Sequence, residues 1–340
     1  MCMDKIWFMM ALGLALLQAG AAYSQTGKSE AEARKQVWQY LKQYNPDGYH
    51  ILKAYYDAPT KFKLGNVTIT TGPRTDFMTY VQDYSNEGVR DALGTVVHEI
   101  NHGYTSVGAN QQLARQKGSD YSFGDDYSYF YLGGEKGILV KHTDTYTTRE
   151  MNGAIDKRLH TFRYETYVYP SDQIGAQVQG AYGLLDELNA YYHGTQTSMG
   201  LYPIYEQMAK TNPKAWLQYF SNVSSTYYAH MEFRFYILQY MLYAKAKHPA
   251  VYQGIMANTA FREAFTMVDQ QFTALNKKFF AQKRQILARL NAKGIYTEED
   301  EQYVYIGGNG VGHFGQSYNL LNTEMQQPKY QAMYKALTQL

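Results

Sequence analysis

The sequence predicts an α+β chain in which short strands alternate with helices in the first half and helices dominate the second. Three observations predict it. Short runs rich in β-branched and aromatic residues, bounded by Gly and Pro, fall between Val67 and Tyr169. An apolar stretch with helical character surrounds the pentapeptide His98-Glu99-Ile100-Asn101-His102. After Gly194 apolar residues recur with helical period in successive segments.

Met1 to Ser24 reads as a secretory signal. Lys5 precedes the apolar run Ile6 to Leu17, and Ala22-Tyr23-Ser24 offers small residues at both positions a signal peptidase reads, leaving Gln25 as the first mature residue. The run is too short for a comfortable membrane span. The expectation is an exported protein, periplasmic or extracellular, with no stable span once the signal is removed. The one cysteine, Cys2, lies before the apolar run, so the mature chain carries no thiol and no disulfide. About 315 residues remain, enough for a core that needs no bridges. A formal net charge of +2 with no Lys/Arg cluster argues against nucleic acid as a partner. The 35 tyrosines suit half-buried surfaces and grooves for peptides or sugars, because an apolar ring carries a polar tip.

The mature chain opens with a helix predicted over Ser29 to Tyr44, ended by turn chemistry at Asn45-Pro46-Asp47-Gly48. Val67 to Thr71 is a strand closed by Gly72-Pro73. Asn86 is the expected N-cap of the helix that carries His98 and His102, with Glu87 in its first turn. Tyr127 to Leu132 and Gly137 to His142 form a predicted hairpin around Gly133-Gly134-Glu135-Lys136; it either covers the core or offers an open edge to an extended peptide. Phe162 to Tyr169 is a further predicted strand. Ser171 or Asp172 caps a helix running to His193. Helices follow near Leu201 to Lys210, Pro213 to Phe220, Ser225 to Lys247 and Phe261 to Lys293, with Phe233, Ile237, Tyr240 and Met241 as a core stripe. The expected organisation is a signal over 1–24, an α+β part over 25–195, and a mainly helical part over 196–340.

The chemistry concentrates in His98-Glu99-Ile100-Asn101-His102. Residues four apart on a helix share a face, so His98 and His102 can offer two imidazole nitrogens to one metal ion. Glu99 is rotated by about 100°, placed to reach a water rather than to act as a third ligand. Neutral imidazole suits Zn2+, and a carboxylate beside the water can act as general base. A hydrolytic zinc site wants a third protein ligand and leaves a fourth position for water.

With Thr95, Val97, Ile100, Asn101 and Tyr104 around it, this motif resembles the active-site helix of the zincin metallopeptidases. That resemblance implies a small mixed or antiparallel sheet packed on the H-E-x-x-H helix. Gluzincins carry a Glu ligand on a later helix, with a small residue one turn on; Glu187-Leu188-Asn189-Ala190-Tyr191 resembles that helix, with Glu187 as ligand and Ala190 as the close-contact residue. Asp186, Glu165, Glu232 and His193 are the rival third ligands. Metzincins need Gly and His where this chain has Thr105 and Gly108. Many gluzincins have Asp four residues after the ligand, bonded to a metal-bound His; here that position is Tyr191, so the acceptor orienting His98 or His102 is unassigned.

The reading implied is an exported zinc peptidase acting on peptide or protein substrates. One Zn2+ sits on His98, His102 and Glu187, and a zinc-bound water attacks the carbonyl with Glu99 as general base. The glycine-rich run Gly307 to Gly315 is expected to be a flexible loop folding back on the cleft, with His313 donating to the oxyanion. Two other classes remain open: a non-catalytic zinc-binding protein on the same scaffold, and an exported peptide- or glycan-binding module that uses the tyrosines.

Overall fold

The hydroxyl of Ser29 accepts from the backbone of Glu32, and the Glu32 carboxylate accepts from the Ser29 N–H, a capping box that starts α1 (Glu30–Tyr44). The computed structural model describes residues 28–116, 121–122, 124–170 and 174–339. The expected signal peptide, Met1 to Ser24, lies outside them. Asn45-Pro46-Asp47-Gly48 does not lead into a loop. Pro46 fits a first helical turn, where its missing N–H costs nothing, and Asn45 accepts from Gly48 N at 3.2 Å, so α2 (Pro46–Asp57) begins at once.

β1 (Lys61–Leu64) and β2 (Val67–Thr70) then pair antiparallel, Leu64 opposite Val67. The next element, α3 (Asn86–Arg115), carries the H-E-x-x-H motif. Its N-cap is Ser85 rather than Asn86, because the Ser85 hydroxyl accepts from Gly88 N at 3.0 Å. Val89, Leu93, Val96, Val97, Ile100 and Tyr104 form its buried face.

The predicted hairpin is β3 (Tyr127–Gly133) and β4 (Lys136–Lys141), antiparallel with Tyr129 opposite Leu139. Gly134 and Glu135 both have positive φ, 56° and 65°, as a two-residue hairpin turn that follows the strand twist requires. β3 lies on α3, with the rings of Tyr129 and Tyr131 5.9 and 6.0 Å from that of Tyr104. Carbonyls of β3 are already engaged by side chains. Tyr131 O receives Asn189 Nδ2 at 2.9 Å and lies 3.0 Å from His193 Nε2, and Leu132 O receives Gln271 Nε2 at 2.8 Å.

Phe162 to Tyr169 is not a strand. Arg163 N donates to Glu232 Oε1 at 2.9 Å instead of to a neighbouring strand, and the chain coils into the short α4 (Tyr164–Tyr167). The helix expected up to His193 is two pieces, α5 (Gly175–Val178) and α6 (Ala181–Gly200). They are divided at Gly180, whose φ of 56° and close approach to Tyr240 and to Tyr146 O exclude a side chain. The proposed caps Ser171 and Asp172 lie outside the described residues. The expected boundary at residues 195 and 196 falls inside α6.

The second half contains α7 (Tyr202–Met208), α8 (Ala215–Tyr227), α9 (Ala229–Lys247), α10 (Pro249–Ala257) and α11 (Thr259–Asn291). Three short strands follow, β5 (Thr297–Glu299), β6 (Tyr303–Ile306) and β7 (Asn309–Gly312), then α12 (Gly315–Glu324) and α13 (Pro328–Thr338). The glycine-rich run is no irregular loop. Gly307 and Gly308, with φ of 57° and 77°, make the turn of the β6–β7 hairpin, and Val304 and Ile306 are buried. The fold is therefore α+β, mainly helical, with three small antiparallel sheets among the described residues. One continuous buried cluster runs from Ala33 in α1 to Leu337 in α13. No described helix is long and apolar enough to cross a membrane.

A buried polar network ties α9, α11 and α13 together. Asp269 meets His230 Nε2 at 3.0 Å, Arg234 Nη2 at 2.8 Å and the Tyr334 hydroxyl at 2.8 Å, while Asn276 Nδ2 lies 3.3 Å from His230 Nδ1. Burial, and then the Arg234 charge, push His230 down to about 4. Burial opposes the charge on Asp269, yet Arg234 and His230 hold its carboxyl far below the usual range. The tyrosines facing the pair, Tyr318 and Tyr334, have raised pKa values through burial and stay neutral. Both folded-state values of the pair lie below the unfolded ones, so the unfolded chain takes up more protons as pH falls. The stability these groups contribute is complete above about pH 6.5 and is lost as pH falls toward about 4 and below. Urea midpoints measured from pH 7.5 to 4 should fall across this window, and His230→Asn should flatten the upper part of the decline.

Candidate metal centre

Two glycines set the distance between α3 and α6. A Cβ on Gly94 would lie 3.2 Å from Gly194 O, and one on Gly194 would lie 2.9 Å from Gly94 O and 3.3 Å from His98 Cβ. The backbones can approach this closely only because neither position has a side chain. Asn101 Nδ2 donates to Asn189 Oδ1 at 3.1 Å across the same interface. Ala190, the residue expected at the close contact, is also fully buried.

This crossing brings Glu187 to the two motif histidines. His98 Nε2 and His102 Nε2 are 3.2 Å apart, and Glu187 Oε2 lies 3.7 and 3.6 Å from them. Ligands held at zinc bond lengths of about 2.0–2.1 Å in a tetrahedron stand about 3.3 Å apart, so the three atoms fit one ion. Two further observations agree with this fit. Glu187 Oε2 is buried and has no hydrogen-bond partner, and two imidazoles with a carboxylate are the donor set zinc takes. Among the described residues this is the one group of three His, Cys, Asp or Glu side chains close enough together to hold a metal ion. The His98 and Glu187 side chains each keep 11% of their surface, whereas His102 keeps 26%, which leaves the site open to solvent on the His102 side.

Asp186 is the partner that sequence reasoning left unassigned. Its Oδ2 lies 2.7 Å from His102 Nδ1, and its Oδ1 accepts from Thr105 Oγ1 at 2.7 Å. A carboxylate on Nδ1 turns Nε2 toward the other ligands, the usual outer contact of a metal-binding histidine. Asp186 therefore orients His102 from outside the cluster, and Glu187 is the acid whose oxygen faces the two Nε2 atoms. Two signals in the sequence pointed here: the adjacent acids Asp186-Glu187, and a hydroxyl at Thr105 one turn after His102. The other rivals are accounted for elsewhere. Glu232 Oε2 accepts from Arg163 Nη1 at 2.6 Å, Glu165 is exposed, and His193 Nε2 meets the Tyr131 carbonyl.

Burial, with His102 and Arg163 close by, lowers the pKa of His98 well below the imidazole range. Burial also opposes a charge on His102, but Asp186, with Glu187 and Glu99 behind it, raises that ring to about 10. Glu187 is pushed up to about 7 by burial, against the pull of His102. The acids around His102 thus favour positive charge at this point, which a bound cation would supply. Glu99 is half-buried on the next position of α3, close enough for its charge to act on both His102 and Glu187.

His313 is not brought to this group. One nitrogen, Nε2, is 2.7 Å from the Asp300 carbonyl. The ring lines a cavity with Tyr227, Lys283 and Glu299 whose walls include none of His98, Glu99, His102 and Glu187.

No protein-family model, no curated protein and no solved structure matches the chain.

Replacing Gly194 by Val should cost about 1–3 kcal/mol through overpacking and should weaken metal binding as the helices are pushed apart. Gly175→Ala, which meets nothing within 4 Å, is the control for thermal melts. Equilibrium dialysis should find one Zn2+ per chain, lost in His102→Ala and in Glu187→Ala. Asp186→Asn should lower affinity by about 10- to 100-fold, and Glu165→Gln should leave it unchanged.

Proposed function

We propose that the protein is an exported zinc-dependent peptidase of the gluzincin type, acting on peptide or protein substrates. The observation that carries this reading is the convergence of His98 Nε2, His102 Nε2 and Glu187 Oε2, with Glu99 beside them on α3. The order of elements supports it too, since α3 is covered by the β3–β4 hairpin and crossed by the helix bearing Glu187. Export rests on the amino-terminal sequence, Met1 to Ser24.

His98, His102 and Glu187 would hold the ion, and Asp186 would keep His102 turned toward it. When bound, Zn2+ supplies Lewis acidity and lowers the pKa of water toward neutrality. The remaining work falls to the chain. Glu99 takes the proton of the attacking water and returns it to the leaving amine nitrogen, a transfer that amide cleavage needs because an amine leaves poorly without protonation. Its half-buried setting keeps one face toward solvent, from which water and substrate arrive. His313 has no part in this scheme, because it is bonded to Asp300 O in a different cavity.

Substituting Glu99 by Gln should leave zinc content unchanged and lower cleavage of a peptide library by about 10²- to 10⁴-fold, the usual contribution of a positioned acid–base group. Retained turnover in this variant would remove Glu99 from the mechanism. A zinc-loaded wild-type protein that cleaves nothing in the library would instead favour a non-catalytic zinc-binding protein.

A further inference from the structure

His98 and His102 are held in different ways. The ring of His102 is fixed through a hydrogen bond to Asp186. That of His98 has no carboxylate beside it: its Nδ1 is buried, and the polar group near the ring is the backbone carbonyl of Ala190. A histidine ligand that lacks a carboxylate on its outer nitrogen is oriented less firmly through that nitrogen, and turning about its Cβ–Cγ bond would carry Nε2 off the metal.

What lies against this ring is Tyr191. The two ring centroids are 4.3 Å apart at 62°, an edge-to-face contact. Tyr191 is itself clamped. The Arg163 guanidinium sits 4.5 Å from its ring centroid, the Phe233 ring stacks at 5.4 Å and 28°, and its hydroxyl is 3.3 Å from that of Tyr167. Arg163 is immobilised in turn, with Nη1 on Glu232 at 2.6 Å and Nη2 on Ser225 O at 2.6 Å, both ion-pair side chains being almost completely buried. A rigid path therefore runs from the Arg163–Glu232 pair through an aromatic ring to His98.

We infer that Tyr191 is a positioning residue for His98, fixing the imidazole by ring contact where His102 is fixed by a carboxylate. This rests on the metal-site reading above. It explains why Tyr occupies the position four residues after Glu187. With Asp186 already serving His102, that position is left to confine the other ring, and an aromatic side chain confines without adding a further acid to Asp186, Glu187 and Glu99. It also gives the buried Arg163–Glu232 pair a task, that of holding Tyr191 in place.

The aromatic face, not the hydroxyl, carries the effect, and this separates the inference from general packing. Zinc affinity measured by chelator competition should be close to wild type in Tyr191→Phe and about 10- to 100-fold weaker in Tyr191→Leu, as when an outer partner of a metal-bound histidine is removed. Visible absorption of the Co2+-loaded protein, which reports ligand geometry, should match wild type in the Phe variant and change in the Leu variant. Tyr191→Met, a flexible chain that fills space without a flat face, carries the same expectation as Leu and decides the matter if Leu fails to fold. Wild-type affinity and spectrum in the folded Leu or Met variant would overturn the inference while leaving the metal site intact, as would a loss in Phe equal to that in Leu. Failure of the wild-type protein to bind either ion would overturn both.

Discussion

The contact on which the site depends is the one between Gly94 and Gly194. Helices that cross with ordinary side chains between them stand 8–10 Å apart, and at this crossing even a single Cβ would meet the opposing carbonyl. Because the backbones touch here, Glu187, two turns before Gly194 on α6, reaches the imidazoles one and two turns after Gly94 on α3. The same approach places Asn101 against Asn189, whose amide continues to the Tyr131 carbonyl and so fastens the β3–β4 hairpin to the pair. The two helices and the hairpin form one unit, and His98, His102 and Glu187 lie in it.

Around that unit the charges are arranged so that each acid has a distinct task. Asp186 is anchored by the Thr105 hydroxyl and aimed at His102; Glu187 has a buried oxygen with nothing to bond; Glu99 is half-buried at the edge. Three carboxylates beside two imidazoles would repel one another without positive charge between them, and burial sharpens that repulsion. A divalent cation meets the demand directly. The C-terminal helices contribute at one remove, for Glu232 and Phe233 of α9 lie behind Arg163 and Tyr191, which face His98.

Much of this was legible in the chain. The motif spacing placed two histidines on one helical face, and the apolar spacing around it made that face buried. Glu187 was legible only through the resemblance of its segment to the gluzincin ligand helix, and the hairpin through its alternation and the glycines of its turn. Other features were not. Pro46 has the same chemistry whether it follows a turn or opens a helix, and it opens α2. The aromatic run at Phe162 has strand-like composition, yet its backbone is bonded to Glu232, which lies 69 residues away. The glycines at 307 and 308 have the composition of a mobile loop and the dihedral angles of a hairpin turn.

By itself the sequence determined what is periodic and local: the helix of the motif, the faces that must be buried, the residue types able to bind a metal, and the turns glycine permits. These follow from short-range geometry, which depends on neighbours a few positions apart. Only the tertiary structure decided which acid became a ligand neighbour and which an orienting group, why His313 lies apart, and that Tyr191 rests on His98. Adjacent acids such as Asp186 and Glu187 differ little in chemistry, and about 100° of helix rotation between them acquires meaning only once a second helix lies within reach.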